Sequence, residues 1–243
     1  MRLEGRSIAC FRKLLLAWAR KNLREFPWRG EGDTYRALLS EMMLRRTRAS
    51  QVVPVFKEFV RRYPTLEELT RASTHDIRSV LRLLGLHWRA DDIATMAREV
   101  AEHYQGVVPA SRDNLQSLTG VGEYVSNAVA CFSAGAPLPI IDTNVVRVLG
   151  RVFGLRLGGE ARRRKEIREA ASACVDRGKP ALYNYALLDF AAALCTARAP
   201  LCGQCPYGQR SLCEFARQTE GVGGKTRAVQ RIKGRGVSRQ TRR

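Results

Sequence analysis

Two glycines one residue apart, in Leu118-Thr119-Gly120-Val121-Gly122, sit between helical segments and mark a tight turn. Such a turn leaves the backbone N–H groups of Gly120, Val121 and Gly122 free to face an anion. Twenty residues after Gly122, Ile141-Asp142-Thr143-Asn144 puts one carboxylate at the start of another helix. A phosphate grip followed by an acid suits chemistry on a single nucleotide. Asp142 also fits a plain N-cap, and the two roles are compatible. A second acid, Glu41, lies in an otherwise apolar helix face beside Met42 and Met43. Burial there would raise its pKa and make it a proton donor. The alternative for Glu41 is a surface pair with Arg45, one helical turn on.

Cys195, Cys202, Cys205 and Cys213 fall within nineteen residues, spaced C-x6-C-x2-C-x7-C. Four thiolates that close can enclose a cubane iron–sulfur cluster or a four-thiolate zinc site. Only one pair has the tight C-x2-C spacing that zinc knuckles use twice. Pro200 and Pro206 flank the ligands and stiffen the loop. Cys10, Cys131 and Cys174 stand singly in apolar surroundings and read as core residues.

The elements that must position these residues are helical. Apolar residues recur at three- and four-residue spacing nearly everywhere, and strict alternation is almost absent. Helices are expected over 76–84, 89–104, 124–133, 144–153, 160–176 and 181–194, with further apolar faces at Phe11–Trp18, Leu38–Met43 and Val52–Phe59. The fold class is all-α, with about ten helices joined by short Pro- and Gly-marked loops.

The chain has 243 residues, 35 of them Arg and 7 Lys, a net charge of +19 and a pI near 10.4. That balance implies a polyanionic partner, nucleic acid or an acidic membrane surface. Arg forks onto phosphate and stacks on bases, although a GC-rich genome gives the same bias. No apolar run approaches the length of a membrane span, and charge interrupts the N-terminal apolar stretch, so neither a membrane segment nor a secretory signal is expected. The expected location is cytoplasmic and nucleoid-associated. From Gly221 to Arg243 eight basic residues occur with no acid, as in a disordered basic tail.

With hairpin, Asp142 and cysteine quartet in this order, the chain resembles the helix-hairpin-helix DNA glycosylase superfamily. More narrowly it resembles the iron–sulfur branch: endonuclease III, the adenine glycosylase of A·G mispairs and the T·G mismatch glycosylase. Phe26-Pro27-Trp28-Arg29, Leu39–Thr47, Gly85-Leu86 and Val145-Val146-Arg147-Val148 carry the likeness across about residues 11–216. Two departures stand out. Thr119 replaces the usual Pro, which should loosen the turn, and the seven-residue last cysteine gap is longer than usual, so that loop must bulge.

The resemblance implies a two-lobed helix-hairpin-helix fold: a helical barrel lobe over 25–135, an iron–sulfur lobe of 1–24 plus 136–216, and a tail over 217–243. It implies a [4Fe–4S] cluster on the four cysteines and a monovalent cation at the hairpin. It also implies a probe of double-stranded DNA by a monomer, with the damaged or mispaired nucleotide rotated into a pocket between the lobes. Asp142 matches the catalytic carboxylate. Glu41 matches the acid that contacts the flipped base in the adenine and T·G enzymes. Tyr124 stands where lyase members carry the Schiff-base lysine, and Tyr cannot form an imine. Arg45, Leu86 and Trp88 lie on the segments that plug the vacated duplex, although Trp88 could equally be core. Arg46 is a candidate for reading the unpaired guanine. The expected activity is monofunctional hydrolysis of thymine or uracil opposite guanine. The alternatives are an adenine glycosylase acting on A·G or A·8-oxoguanine and a non-catalytic metal-stabilised DNA-binding module.

Overall fold

The computed structural model describes residues 4–222 except 31, 86 and 156–159. Among them the chain is helical and carries no strand. Helices α1 (Gly5–Asn22), α2 (Thr34–Leu44), α3 (Ala49–Arg62), α4 (Leu66–Arg71), α5 (Thr74–Leu81), α6 (Ala90–His103), α7 (Arg112–Gln116) and α8 (Glu123–Ala134) precede a crossing segment. Then come α9 (Thr143–Phe153), α10 (Lys165–Cys174), α11 (Pro180–Ala193) and α12 (Glu214–Val222).

Local chemistry sets most boundaries. Asp33, Ser73, Ser111 and Asp142 cap α2, α5, α7 and α9 by accepting a first-turn N–H, and Thr65 with Glu68 forms a capping box on α4. Pro180 opens α11 where its missing N–H costs nothing. Two expected helices are trimmed. The one expected over 76–84 ends at Leu81 and tightens into a 3-10 turn over Arg82–Leu84. The one expected from 160 begins at Lys165, because Ala161–Arg163 is a 3-10 turn and Arg164 is extended. Helix α12 runs to Val222, past the expected start of the tail at 217; the tail from 223 onward lies outside the described residues.

Two large buried clusters hold most of the apolar residues, with two small ones beside them. One gathers side chains of α2–α8, among them Leu38, Met42, Phe56, Phe59, Met96 and Val129. The other joins α1 to α9–α12 through Phe11, Leu15, Val148, Leu149, Phe190 and Tyr207. Between them the chain crosses at Ala136–Ile141. Asn184 on α11 fixes this crossing: its Nδ2 donates to the Leu138 carbonyl (3.1 Å) and its Oδ1 accepts from Ile140 N–H (3.3 Å).

The two clusters are also fastened by ions. Asp189 on α11 is fully buried and accepts five hydrogen bonds from the segment before α2. Arg24 donates its backbone N–H (2.9 Å), Nε (2.8 Å) and a terminal nitrogen (2.6 Å). Arg29 adds a bidentate fork at 2.7 and 2.9 Å. These bonds hold the Asp189 carboxyl below the usual range against the opposing effect of burial. Truncating Asp189 strands the Arg29 guanidinium in a half-dry site. The Asp189→Ala chain is expected to lose ~3 kcal/mol in urea denaturation; an unchanged midpoint would show that both arginines find other partners.

Candidate functional site

Helix α2 packs along α8, and this contact faces Glu41 toward Tyr124. Glu41 is 3% exposed, and its Oε2 has no hydrogen-bond partner. Burial pushes its pKa up to about 7. Asp142 adds to the rise, while the Tyr124 hydrogen bond and the Arg29 charge pull it back. The same surroundings drive the Tyr124 hydroxyl well above its ordinary value, through burial first and then the charges of Glu41 and Asp142. Tyr124 is therefore a neutral donor in this pair.

Asp142 comes to the same place from the far side of the crossing. Its Oδ1 caps α9 by accepting Val145 N–H at 2.7 Å, and its Oδ2 accepts Asn144 Nδ2 at 2.5 Å. Asn144 in turn accepts from Arg147 (3.0 Å), whose Nε donates to the Cys195 carbonyl at 2.7 Å. One side-chain path thus runs from the carboxylate to the cysteine loop.

Glu41, Tyr124 and Asp142 line one cleft of about 800 Å³ together with Arg24, Phe26, Trp28, Arg29, Asn144 and Tyr185. Phe26 stacks flat on Trp28 at 4.9 Å, and the Arg29 guanidinium lies 4.3 Å from the Tyr185 ring centroid. Among the described residues, no lysine lines this cleft. Sequence reasoning missed Arg24, Tyr185, Asn144 and Asp189 as site residues. Arg29 stood in a quoted motif without a role.

The hairpin follows α7. Leu118 and Val121 are buried and anchor it, while Gly122 is exposed at the N-cap of α8 with no side chain to satisfy the first-turn N–H groups. Gly120 has φ +76°, and a Cβ there would press on Asp92 and Met42 at 3.1–3.2 Å, so this position requires glycine. Thr119 is not a loosened turn, contrary to the sequence expectation. Its N–H and Oγ1 both donate to Glu99, at 2.7 and 2.6 Å. A proline would lack that N–H; threonine replaces ring rigidity with a two-point hydrogen-bonded clamp. Two hairpin carbonyls already have donors, Leu118 from Val121 N–H and Gly120 from Arg45.

Arg45 and Arg46 sit beyond the end of α2, both exposed, and neither lines the cleft. Arg45 reaches the hairpin, donating to the Gly120 carbonyl at 2.9 Å. Trp88 is half exposed, which removes the core alternative. Leu86 lies outside the described residues.

Cys195, Cys202, Cys205 and Cys213 line one apolar cavity with Val152, Phe190 and Phe215. Helix α9 supports this loop: Arg151 donates to the Thr196 (2.6 Å) and Ala197 (2.9 Å) carbonyls. Gly208 is required, because a Cβ would overlap the Cys202 carbonyl. The long last gap is taken up by a turn at Gly208–Leu212, with Ser211 at φ +50° and Tyr207 buried against Phe11. Among the described residues, no three His, Cys, Asp or Glu side chains converge closely enough for one metal ion. Thiolates on a single zinc stand about 3.8 Å apart, given Zn–S near 2.3 Å. The four cysteines nevertheless share one cavity.

Residues 39–176 match the HhH-GPD superfamily base excision DNA repair protein family. A thymine/uracil-DNA glycosylase of Pyrobaculum aerophilum is 36% identical over 221 residues, covering 87% of this chain and 94% of that one. An adenine DNA glycosylase of Mycolicibacterium smegmatis is 35% identical, over 94% of this chain and 76% of its own length. Among solved structures, a thermostable thymine-DNA glycosylase superposes with a TM-score of 0.80 at 32% identity, over 88% of this chain and 98% of that one.

The buried Glu41 makes a stability test independent of any substrate. Folded Glu41 binds its proton more tightly than the unfolded residue, so it favours folding below about pH 4.5 and that contribution is lost as pH rises through about 7. The Glu41→Gln chain is expected to match the parent near pH 4.5 and to be ~3 kcal/mol more stable at pH 8. A difference independent of pH would show that Glu41 is not held in this state.

Proposed function

The chain belongs to the HhH-GPD superfamily of base excision DNA repair proteins, and on that premise we propose a monofunctional DNA glycosylase for thymine or uracil opposite guanine. The observation that carries this reading is the Glu41–Tyr124–Asp142 group in a cleft that no lysine lines among the described residues. Loss of a base builds positive charge on the deoxyribose. Asp142 is proposed to face that charge, and its cap bonds hold the carboxylate in one orientation. Protonated Glu41 donates to the departing base, so it leaves neutral, and Tyr124 hydrogen-bonds the same base. A water oxygen bonds to the sugar carbon as the base–sugar bond breaks; Asp142 positions that water and accepts the proton it loses.

A lyase would need an amine at this point, and position 124 offers a phenol. The hairpin N–H groups at Gly120–Gly122 would hold a backbone phosphate, and Trp88 and Leu86 would fill the vacated stack. The family is generally associated with a [4Fe–4S] cluster. Cys195, Cys202, Cys205 and Cys213 would hold it here, where it would stiffen the cysteine loop that Arg147 and Arg151 fasten to α9. The 25–135 and 1–24 plus 136–216 lobes would close on DNA from opposite sides of the cleft.

Purified protein incubated with T·G, U·G, A·G and A·8-oxoguanine duplexes is expected to release pyrimidine and to leave strands intact until alkali is added. Adenine release alone would favour the second reading, which the mycobacterial relative supports. The Asp142→Asn chain keeps an oxygen to cap α9, so it is expected to fold normally while base release falls by about a thousandfold. Rates of base release should decline as pH rises through about 7, and Glu41→Gln should flatten that limb. For the cysteines, a brown protein with broad visible absorption is expected; a colourless preparation with bound zinc would overturn the cluster.

A further inference from the structure

Among the described residues Arg89 is the largest fully buried side chain, at 2% exposure, and the proposed chemistry gives it no task. It closes the 3-10 turn His87–Arg89, directly after Trp88 and before α6. Its two terminal nitrogens do not meet a carboxylate. One donates to the Met42 carbonyl and the other to the Arg45 carbonyl, each at 2.6 Å. These carbonyls belong to the last turn of α2, where no further helical N–H is available to satisfy them.

The next residue after Arg45 needs that support. Arg46 has φ +61°, a left-handed conformation that side chains with a Cβ rarely adopt. Such a conformation persists only where the surroundings dictate it. Here Thr47 N–H closes the turn onto the Leu44 carbonyl at 3.2 Å, and Arg89 pins the Arg45 carbonyl inside the same turn. Arg45 also ties the turn to the hairpin through Gly120. On its other side the Arg89 guanidinium stacks 4.7 Å from the centre of the exposed Trp88 ring. One buried cation therefore holds the Trp88 segment and the Arg45–Thr47 turn at a fixed separation. Burial, with the nearby Arg45 and Arg46 charges, lowers its pKa to about 10, so it stays charged at neutral pH.

We propose that Arg89 is the positioning residue for recognition of the base opposite the target, holding the Arg45–Thr47 turn so that Arg46 meets an unpaired guanine. This rests on the reading of Arg46 as the guanine reader, and it predicts that selectivity, more than general DNA affinity, depends on Arg89. A merely structural arginine would weaken every complex alike.

The test measures binding, so it is independent of which base is released. Duplexes with a tetrahydrofuran abasic site opposite guanine or opposite adenine are titrated with the parent, Arg89→Met, Arg89→Lys, Arg46→Gly and the Arg89→Met/Arg46→Gly double variant. The parent is expected to prefer guanine by about tenfold, the scale of one well-made arginine–guanine contact. Arg89→Met should erase most of that ratio while affinity for the adenine duplex stays within about twofold. Arg89→Lys keeps the charge and offers one nitrogen in place of a fork, so it should fold and lose part of the ratio. Arg46→Gly should lose the ratio too, and adding Arg89→Met should change it no further. Equal weakening of both duplexes, no guanine preference in the parent, or an undiminished Arg89 effect in the Arg46→Gly background would each overturn the proposal. A parent that prefers guanine here yet releases neither thymine nor uracil would overturn the substrate reading and leave the role of Arg89 standing.

Discussion

Asp189 is the constraint on which the cleft depends. It sits at the surface of the second apolar cluster, yet every one of its five hydrogen bonds comes from residues that lead into the first. Its partners are arginines, and their remaining faces do further work. Arg29 stacks on Phe26 and on Tyr185, and its charge reaches Glu41. The carboxylate thus fixes the cleft wall and holds in place the Arg29 charge that moderates the buried acid. Because the pairing is bidentate and mostly desolvated, it sets angle as well as distance. A set of apolar contacts would leave the two halves freer to slide.

The chemistry of the cleft comes from an imbalance that the fold tolerates. Glu41 is buried with one oxygen unpartnered, and only a distant arginine and a phenol oppose the cost of its charge. Asp142, a few residues into the second half, has both oxygens engaged by the start of its own helix. Two carboxyl groups share a cavity in opposite circumstances, one starved of hydrogen bonds and one supplied with them.

Much of this was legible in the sequence because it is local. Helical periodicity, the capping residues, Gly120, the cysteine spacing and the acid after the crossing all leave short-range patterns. The ionic tie at Asp189 leaves none, since its partners lie 160 and 165 residues away. The clamp of Glu99 on Thr119 is similar: the sequence showed only a missing proline, and the compensating acid lies on a different helix. Trp88 was ambiguous for another reason. An aromatic at a helix start looks alike in a core and at a surface, and only the path of the turn from Gly85 decides it.

The second apolar cluster is assembled from both ends of the described chain. The Tyr207 hydroxyl donates to the Phe11 carbonyl, 196 residues away, whereas the first cluster closes within a contiguous stretch. The cost in chain entropy of joining those ends falls late, after the contiguous half has formed. On a ribosome, α1 therefore emerges with Phe11 and Leu15 exposed and waits for α9–α12 before it has a core to enter. The cysteine loop and α12 are synthesised last of the parts around that core. Tyr207 lies within that loop, so a chain that ends before it leaves Phe11 without its stacked ring and without the hydroxyl that bonds its carbonyl.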